Sequence, residues 1–109
     1  MSDLKDSILD GMRSFVAGMD EPYYPLEKVD ECGRIIDDFL AAITRAQGET
    51  AILAEVKKTV LALNALNDEC DGALIETDQR EELCELIQGA ATAAGLHADG
   101  DITEAWREW

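Results

Sequence analysis

Residues 50–72 read TAILAEVKKTVLALNALNDECDG, and their apolar spacing sets the architecture of the chain. Leu53, Val56, Val60, Leu63 and Leu66 recur at intervals of three and four, which places them along one face of an α-helix. Thr50 is a suitable N-cap, since its hydroxyl can accept from an N–H of the first turn. Gly72 suits a left-handed C′ position that stops the helix. A single such helix cannot bury its stripe alone, so the neighbouring segments must supply matching apolar faces.

They do. Upstream, Val29, Ile36, Phe39, Leu40 and Ile43 mark a helix that closes before Gly48, with Pro25 at its first position, where a missing N–H costs nothing. Leu4, Ile8, Met12, Phe15 and Met19 mark an earlier helix ending near Met19, with Asp3, Asp6 and Asp10 off the apolar stripe. Between these two lies DEPYYP, whose two prolines enforce an extended or turned backbone. Downstream, Asp78 and Glu81 form a capping box for a fourth helix carrying Leu83, Leu86, Ile87 and Ala90. Gly95 at C′ and Leu96 folding back close it. A second capping box, Asp101 with Glu104, opens a short ITEAWREW helix that is too short to stand alone in water. Ile102, Trp106 and Trp109 are therefore expected to dock, with the tryptophans as core plugs. No segment alternates with β-branched enrichment, so no strand is expected. The expected fold is all-α: an antiparallel four-helix bundle with a short docked C-terminal helix, one domain over residues 1–109.

Composition agrees. The 109 residues are 47% hydrophobic, which suffices for one core, and two prolines with eight glycines exclude a low-complexity chain. Charge is lopsided: 24 acids against nine Lys and Arg give a formal −15. Such a surface repels phosphates and anionic headgroups, so neither nucleic acid nor a membrane is the expected partner, and a basic protein is. The opening MSDLKDSILD has neither the basic nor the apolar region of a secretory signal, and no run approaches the ~18 apolar residues of a membrane span. Cys32, Cys70 and Cys84 are odd in number and lack CxxC spacing. Reduced, buried thiols are expected rather than a disulfide framework or zinc site, which points to the cytoplasm.

Five carboxylates surround Gly72 in NDECDGALIETD, residues 67–78. With Gly72 as the sixth position of a calcium loop, Asn67, Glu69 and Asp71 occupy the first, third and fifth positions, Leu74 the eighth, Ile75 the ninth and Asp78 the twelfth. Calcium sites of this kind want a bidentate Glu at the end and charged early ligands. A neutral Asn and a short terminal Asp depart from that, and a turn explains both Gly72 and Asp78, so divalent-metal binding is the weakest reading and no metal or other cofactor is expected. What remains is charge: from Asp68 to Glu85 there are eight acids and one base, Arg80. Asp68, Glu69 and Asp71 form one candidate docking patch for a cationic partner.

Tyr23 and Tyr24, flanked by Asp20 and Glu21, form the other, because aromatic rings with polar tips are a common interface composition. The structural alternative is that one of these rings packs under the connection between the first two helices. No nucleotide loop, metalloprotease motif or nucleophile elbow is present, and His97 has no partner in motif spacing, so no catalytic residue is assigned. An enzyme or ligand binder would have to use Glu76, Thr77 and Arg80 with His97 or the tryptophans, gathered in a concave pocket. The structural role for Arg80 is an ion pair with Glu76, four residues back, or with a neighbouring carboxylate. Asn64 and Asn67 are placed to hydrogen-bond across the bundle.

DEPYYP with LEKVDE, LNALNDECDGALIETDQREEL, AAGL and the closing WREW together resemble an uncharacterised family of small bacterial proteins of unknown function, over about residues 19–109. The resemblance singles out Tyr23, Tyr24, Pro25, Gly72, Ile75, Glu76, Thr77, Arg80 and Trp109, and implies no activity. Tyr-Tyr-Pro among acids also looks like the nuclease-binding surface of colicin immunity proteins, an analogy of composition and not of element order. The functional expectation is a small acidic protein-binding module, most sharply an immunity-type inhibitor of a basic toxin or enzyme.

Overall fold

The computed structural model describes residues 2–18, 24–97 and 100–109. Its body is four α-helices: α1 Ser2–Ala17, α2 Leu26–Ile43, α3 Glu49–Glu69 and α4 Thr77–Ala93. There is no strand among the described residues. α1 packs against α2 and α4, α2 against α3, and α3 lies beside α4, so the bundle closes in chain order. Its centre holds Ile8, Met12, Ile36, Phe39, Leu63 and Leu86, each fully buried or nearly so.

The helices are those expected, but three of their starts are not. α3 begins at Glu49 with Gly48, not Thr50, as N-cap. Its buried face runs through Ile52 and Val56, while Leu53 is only half-buried. The adjacent pair Ile52–Leu53 fits the periodicity either way, and in the closed bundle it is Ile52 that is buried. Pro25 is the N-cap of α2 rather than its first residue, with extended φ −76° and ψ 158°. The Asp78–Glu81 capping box does not form: α4 opens two residues earlier, at Thr77, with Glu76 as an N-cap that makes no side-chain capping bond. Asp78 instead lies in the first turn, where the exposed N–H groups and helix dipole favour a carboxylate. The end of α4 follows expectation. Gly95 takes φ 115°, and its N–H and that of Leu96 donate to Thr92 and Ala91, which satisfies the last carbonyls of the helix.

The C-terminal segment docks, though as a run of turns over residues 102–106 and not as a regular helix. Asp101 accepts from the Thr103 amide at 2.8 Å and from its hydroxyl, as a cap would, but no helix follows and the Glu104 side chain makes no return bond among the described residues, so the capping box is incomplete. Ile102, Trp106 and Trp109 pack half-buried on the core. Asn64 of α3 holds the segment at its far end, and Gln88 of α4 accepts from the Ile102 amide at 3.2 Å. Burial works to raise the Asp101 pKa, but the Thr103 hydroxyl and amide, Arg107 and the Glu104 amide outweigh it and hold the carboxyl below its ordinary value. A depressed carboxyl contributes stability above its unfolded pKa of about 3.9 and loses it as pH falls through the folded value. The tail is thus expected to loosen on acidification below about pH 4, read as a red shift of tryptophan emission. Asp101→Ala should show the shifted emission already at pH 7; identical emission in both proteins at pH 7 would remove Asp101 from this role.

Candidate functional site

The residues that carry the charge gather where α3 hands over to α4. At the end of α3, the Asp71 N–H donates to Asp68 O at 3.0 Å and the Gly72 N–H to Asn67 O at 2.8 Å. This is a Schellman closure with Cys70 as C-cap, and it puts Asp71, not Gly72, at C′. Asp71 takes the left-handed conformation at φ 55°, which Asp tolerates better than most residues, and Gly72 follows at φ 77°. The Asn67 side chain then reaches forward: its Oδ1 accepts from the Ile75 amide at 3.0 Å, in a buried setting. Leu74 and Ile75 are buried beneath the turn and pin it to the core. The first position of the calcium register is therefore engaged inside the turn. Among the described residues, no group of three or more His, Cys, Asp or Glu side chains is placed to hold a metal ion.

The turn holds the acids out. Asp68, Glu69, Asp71, Glu76, Asp78, Glu81 and Glu85 are all exposed. Of the acids between Asp68 and Glu85, Glu69 alone has an ion-pair partner among the described residues: Lys28 of α2, 3.1 Å away, which also meets Glu31 at 3.5 Å. The Glu69 hydrogen bond, with Glu31, raises the Lys28 pKa despite some desolvation. The Arg80–Glu76 pair does not form, and the Arg80 guanidinium has no carboxylate within ion-pair distance among the described residues, although its backbone N–H donates to Glu76 O at 2.8 Å. The other seven of these eight carboxylates have no ion-pair partner among the described residues.

Tyr24 does not stand on the surface. It is 3% exposed, stacks against Phe15 with ring centroids 6.4 Å apart, and points its hydroxyl at Met12 O, 3.5 Å away. This is the ring packed under the α1–α2 connection, so Tyr24 cannot offer its face to a partner without the core opening. Burial, with Cys70, Glu76 and Cys32 nearby, pushes its phenol up to about 12. Cys32 is likewise pushed up to about 12 by burial and by Cys70, and burial raises Cys70 as well. Both thiols are free, buried and held protonated, hence poor nucleophiles, while Cys84 is half-buried with its sulfur 3.6 Å from the Thr103 hydroxyl. Tyr23, Asp20 and Glu21 lie outside the described residues.

Glu76, Thr77 and Arg80 are not brought to His97. They occupy the first turn of α4, whereas His97 follows its last, with its amide bonded to Glu49 of α3 at 3.0 Å. Seventeen helical residues separate the two ends, roughly 25 Å of helix. The tryptophans are elsewhere again. Trp109 stacks under Arg107, whose guanidinium carbon is 5.4 Å from the ring centre, and Arg107 pairs with Asp101 at 3.2 Å.

An open groove of about 550 Å³ lies on the α1 side of this acidic end, between α1 and the start of α4. Glu76 and Asp78 stand at it, Phe15 and Tyr24 contribute its apolar wall, and Gln79 and Gly11 line it. Sequence reasoning passed over Gln79 and Lys28. Gln79 carried a signal, for it sits four residues before Leu83 and so continues the buried stripe of α4 by one turn. Lys28 carried none, because its partner Glu69 is 41 residues away in sequence.

The arrangement defines a small all-α bundle whose acidic end has, apart from Lys28 at Glu69, no ion pair among the described residues. The chain belongs to the family of unknown function DUF5713, which it matches over residues 9–109. The match takes in Leu9–Ala17 of α1 and everything after it. No curated protein and no solved structure matches the chain. Among the described residues, no helix is long and apolar enough to cross a membrane.

Proposed function

We propose that the protein is a binding module for a basic protein, acting in the cytoplasm as an immunity-type inhibitor of a cationic toxin or enzyme. The observation that carries this reading is the acidic end itself. Asp68, Asp71, Glu76 and Asp78 project from a turn built to hold them out, and none has a cation beside it among the described residues. Unpaired like charges repel one another and weaken the fold slightly, and a cationic partner relieves that repulsion on binding. The same field steers a basic partner into encounter and makes association fast at low salt. Glu69 contributes less, since Lys28 already neutralises it.

The test is capture of a partner at low and high ionic strength by wild type and by Asp68→Lys/Asp71→Lys/Glu76→Lys. Wild type is expected to hold a basic protein at low salt and release it at about 0.5 M salt, where the screening length drops below 5 Å. The triple variant should bind about 10- to 100-fold more weakly, a loss of about 1.4–2.7 kcal/mol spread over three exposed charges. Capture that is insensitive to salt and to the reversal, or a partner that is itself acidic, would overturn the reading. Loss of the captured enzyme's activity on binding separates an inhibitor from a passive scaffold.

A further inference from the structure

We infer that the exposed face of α3 is a contact surface for a second copy of this chain, the two α3 helices running antiparallel about a two-fold axis. This does not depend on the basic-partner reading, and Glu76 and Asp78, at the start of α4, take no part in it.

A surface helix turns its charges to water and its apolar stripe inward. α2 does so, with Asp30, Arg34, Asp37 and Asp38 all exposed. α3 does not. From Thr59 to Asn67 it carries no charged residue, in a chain that is 30% charged. Its inner face buries Val56, Val60 and Leu63, yet the outer face of the same turns is apolar too. Leu61 is 45% exposed there, and Ala54 and Ala65 are exposed beside it. At 3.6 residues per turn these three fall within about 40° of one another around the helix, so they form one ridge. The other large apolar side chain exposed among the described residues, Leu26, is the first residue of α2, whereas Leu61 sits in mid-helix. A helix that is apolar all round is one that is covered all round.

The charges at the two ends of the ridge select what covers it. Lys57 and Lys58 lie one turn before Leu61, and Asp68 and Glu69 lie one turn after Ala65; all four are exposed. Lys57, Lys58 and Asp68 have no ion pair among the described residues. Two copies of α3 laid antiparallel, with the axis level with Leu63, set Leu61 of each against Ala65 of the other. Lys57 and Asp68 share one flank of the ridge, Lys58 and Glu69 the opposite flank, and antiparallel helices bring like flanks together. The same register therefore brings Lys57 to Asp68 and Lys58 to Glu69, each pair occurring twice. Glu69 is already shared with Lys28, so Lys57 with Asp68 carries more of the selectivity. Large against small and cation against anion in one register is the self-complementarity that a two-fold interface demands. Parallel helices in register would set the lysines on each other and the acids on each other, which repels.

Each copy carries a formal −15, so two copies repel at long range and must be screened before the seam can close. The screening length falls from about 30 Å at about 0.01 M salt to about 8 Å at about 0.15 M. Self-association should strengthen over that range, whereas capture of a basic protein weakens with salt. A single helix seam is a small interface, so the expected Kd at the higher salt is on the order of 10–100 μM. The experiment is sedimentation equilibrium of the full chain at both salt concentrations, from about tenfold below to about tenfold above that Kd. Leu61→Asp should weaken the dimer at least about tenfold and leave helical circular dichroism largely unchanged, since the side chain is already exposed. Asp68→Lys should weaken it about tenfold although it lowers the net charge of each copy, and Lys57→Glu should do the same. Lys57→Glu/Asp68→Lys, which exchanges the two charges, should return to within about twofold of wild type. A dimer indifferent to Leu61→Asp, or a double variant no better than the single ones, would overturn the pairing. A chain that stays monomeric throughout would overturn it too, leaving the face to some other protein. Because this dimer is gained with salt and the basic-partner complex is lost with it, the failure of either leaves the other standing.

Discussion

Replacing Tyr24 with alanine is expected to lower the unfolding free energy by about 3–5 kcal/mol, the usual cost of truncating a buried aromatic to Ala. In a domain of this size each kcal/mol moves the midpoint by about 4–8 °C, so the thermal transition should fall by well over 10 °C. Tyr24→Phe is expected to be close to neutral, within about 1 kcal/mol, because the hydroxyl reaches Met12 O only at 3.5 Å. The pair of variants separates packing from recognition. The Tyr-Tyr-Pro composition suggests an interface ring, but the structure stacks this ring on Phe15 and buries it to 3%. At a temperature where Tyr24→Ala remains folded, its affinity for a cationic partner should stay close to that of wild type. Thermal melts of the three proteins together with binding at low salt decide it. A Tyr24→Ala protein as stable as wild type but deficient in binding would place the ring on the surface and refute the packing described.

Asn64→Leu should release the C-terminal tail. Asn64 is 5% exposed, and its amide does three things at once. Its Nδ2 donates to Trp106 O at 2.8 Å and to the Glu108 carboxylate at 3.3 Å, while its Oδ1 accepts from the Glu108 amide at 3.0 Å. Leucine fills similar space but leaves the Trp106 carbonyl and the Glu108 amide without partners. Two such orphaned groups cost about 2–4 kcal/mol if the tail stays docked, and the tail can avoid much of that by undocking into water. Both tryptophans of the chain are in this segment, so their emission reports the event directly. The expected result is a red-shifted, quencher-accessible emission with helical circular dichroism largely retained, since α1 to α4 do not depend on the tail for their own hydrogen bonds. Unchanged emission together with a stability loss below about 0.5 kcal/mol would show that apolar contacts of Ile102, Trp106 and Trp109 dock the tail by themselves.

Both experiments probe contacts that no local pattern announces, and that marks where sequence reading stopped. The four helices were legible because a 3.6-residue period in Leu, Ile and Val positions is a local property: it survives whatever the rest of the chain does. The stop at Gly95 and Leu96 was legible for the same reason. So was the acidic end, from plain counting. The metal-like loop was also readable as a turn, although Asp71 and not Gly72 takes the C′ position.

What tertiary structure alone decided is each choice between locally equivalent options. Ile52 and Leu53 are neighbours with the same chemistry, and only the packed bundle shows that Ile52 went inside. Asp78 could cap a helix or sit in its first turn, and it sits in the first turn, just after a loop in which the Ile75 amide is tied to Asn67. Tyr24 could face solvent or the core, and Phe15 settled it. Gln79 looks like one more polar helix residue until α1 is laid against it with a glycine at the crossing. Helical period depends on bonds four residues apart, whereas these outcomes depend on groups that are distant in sequence and meet only after the bundle has closed.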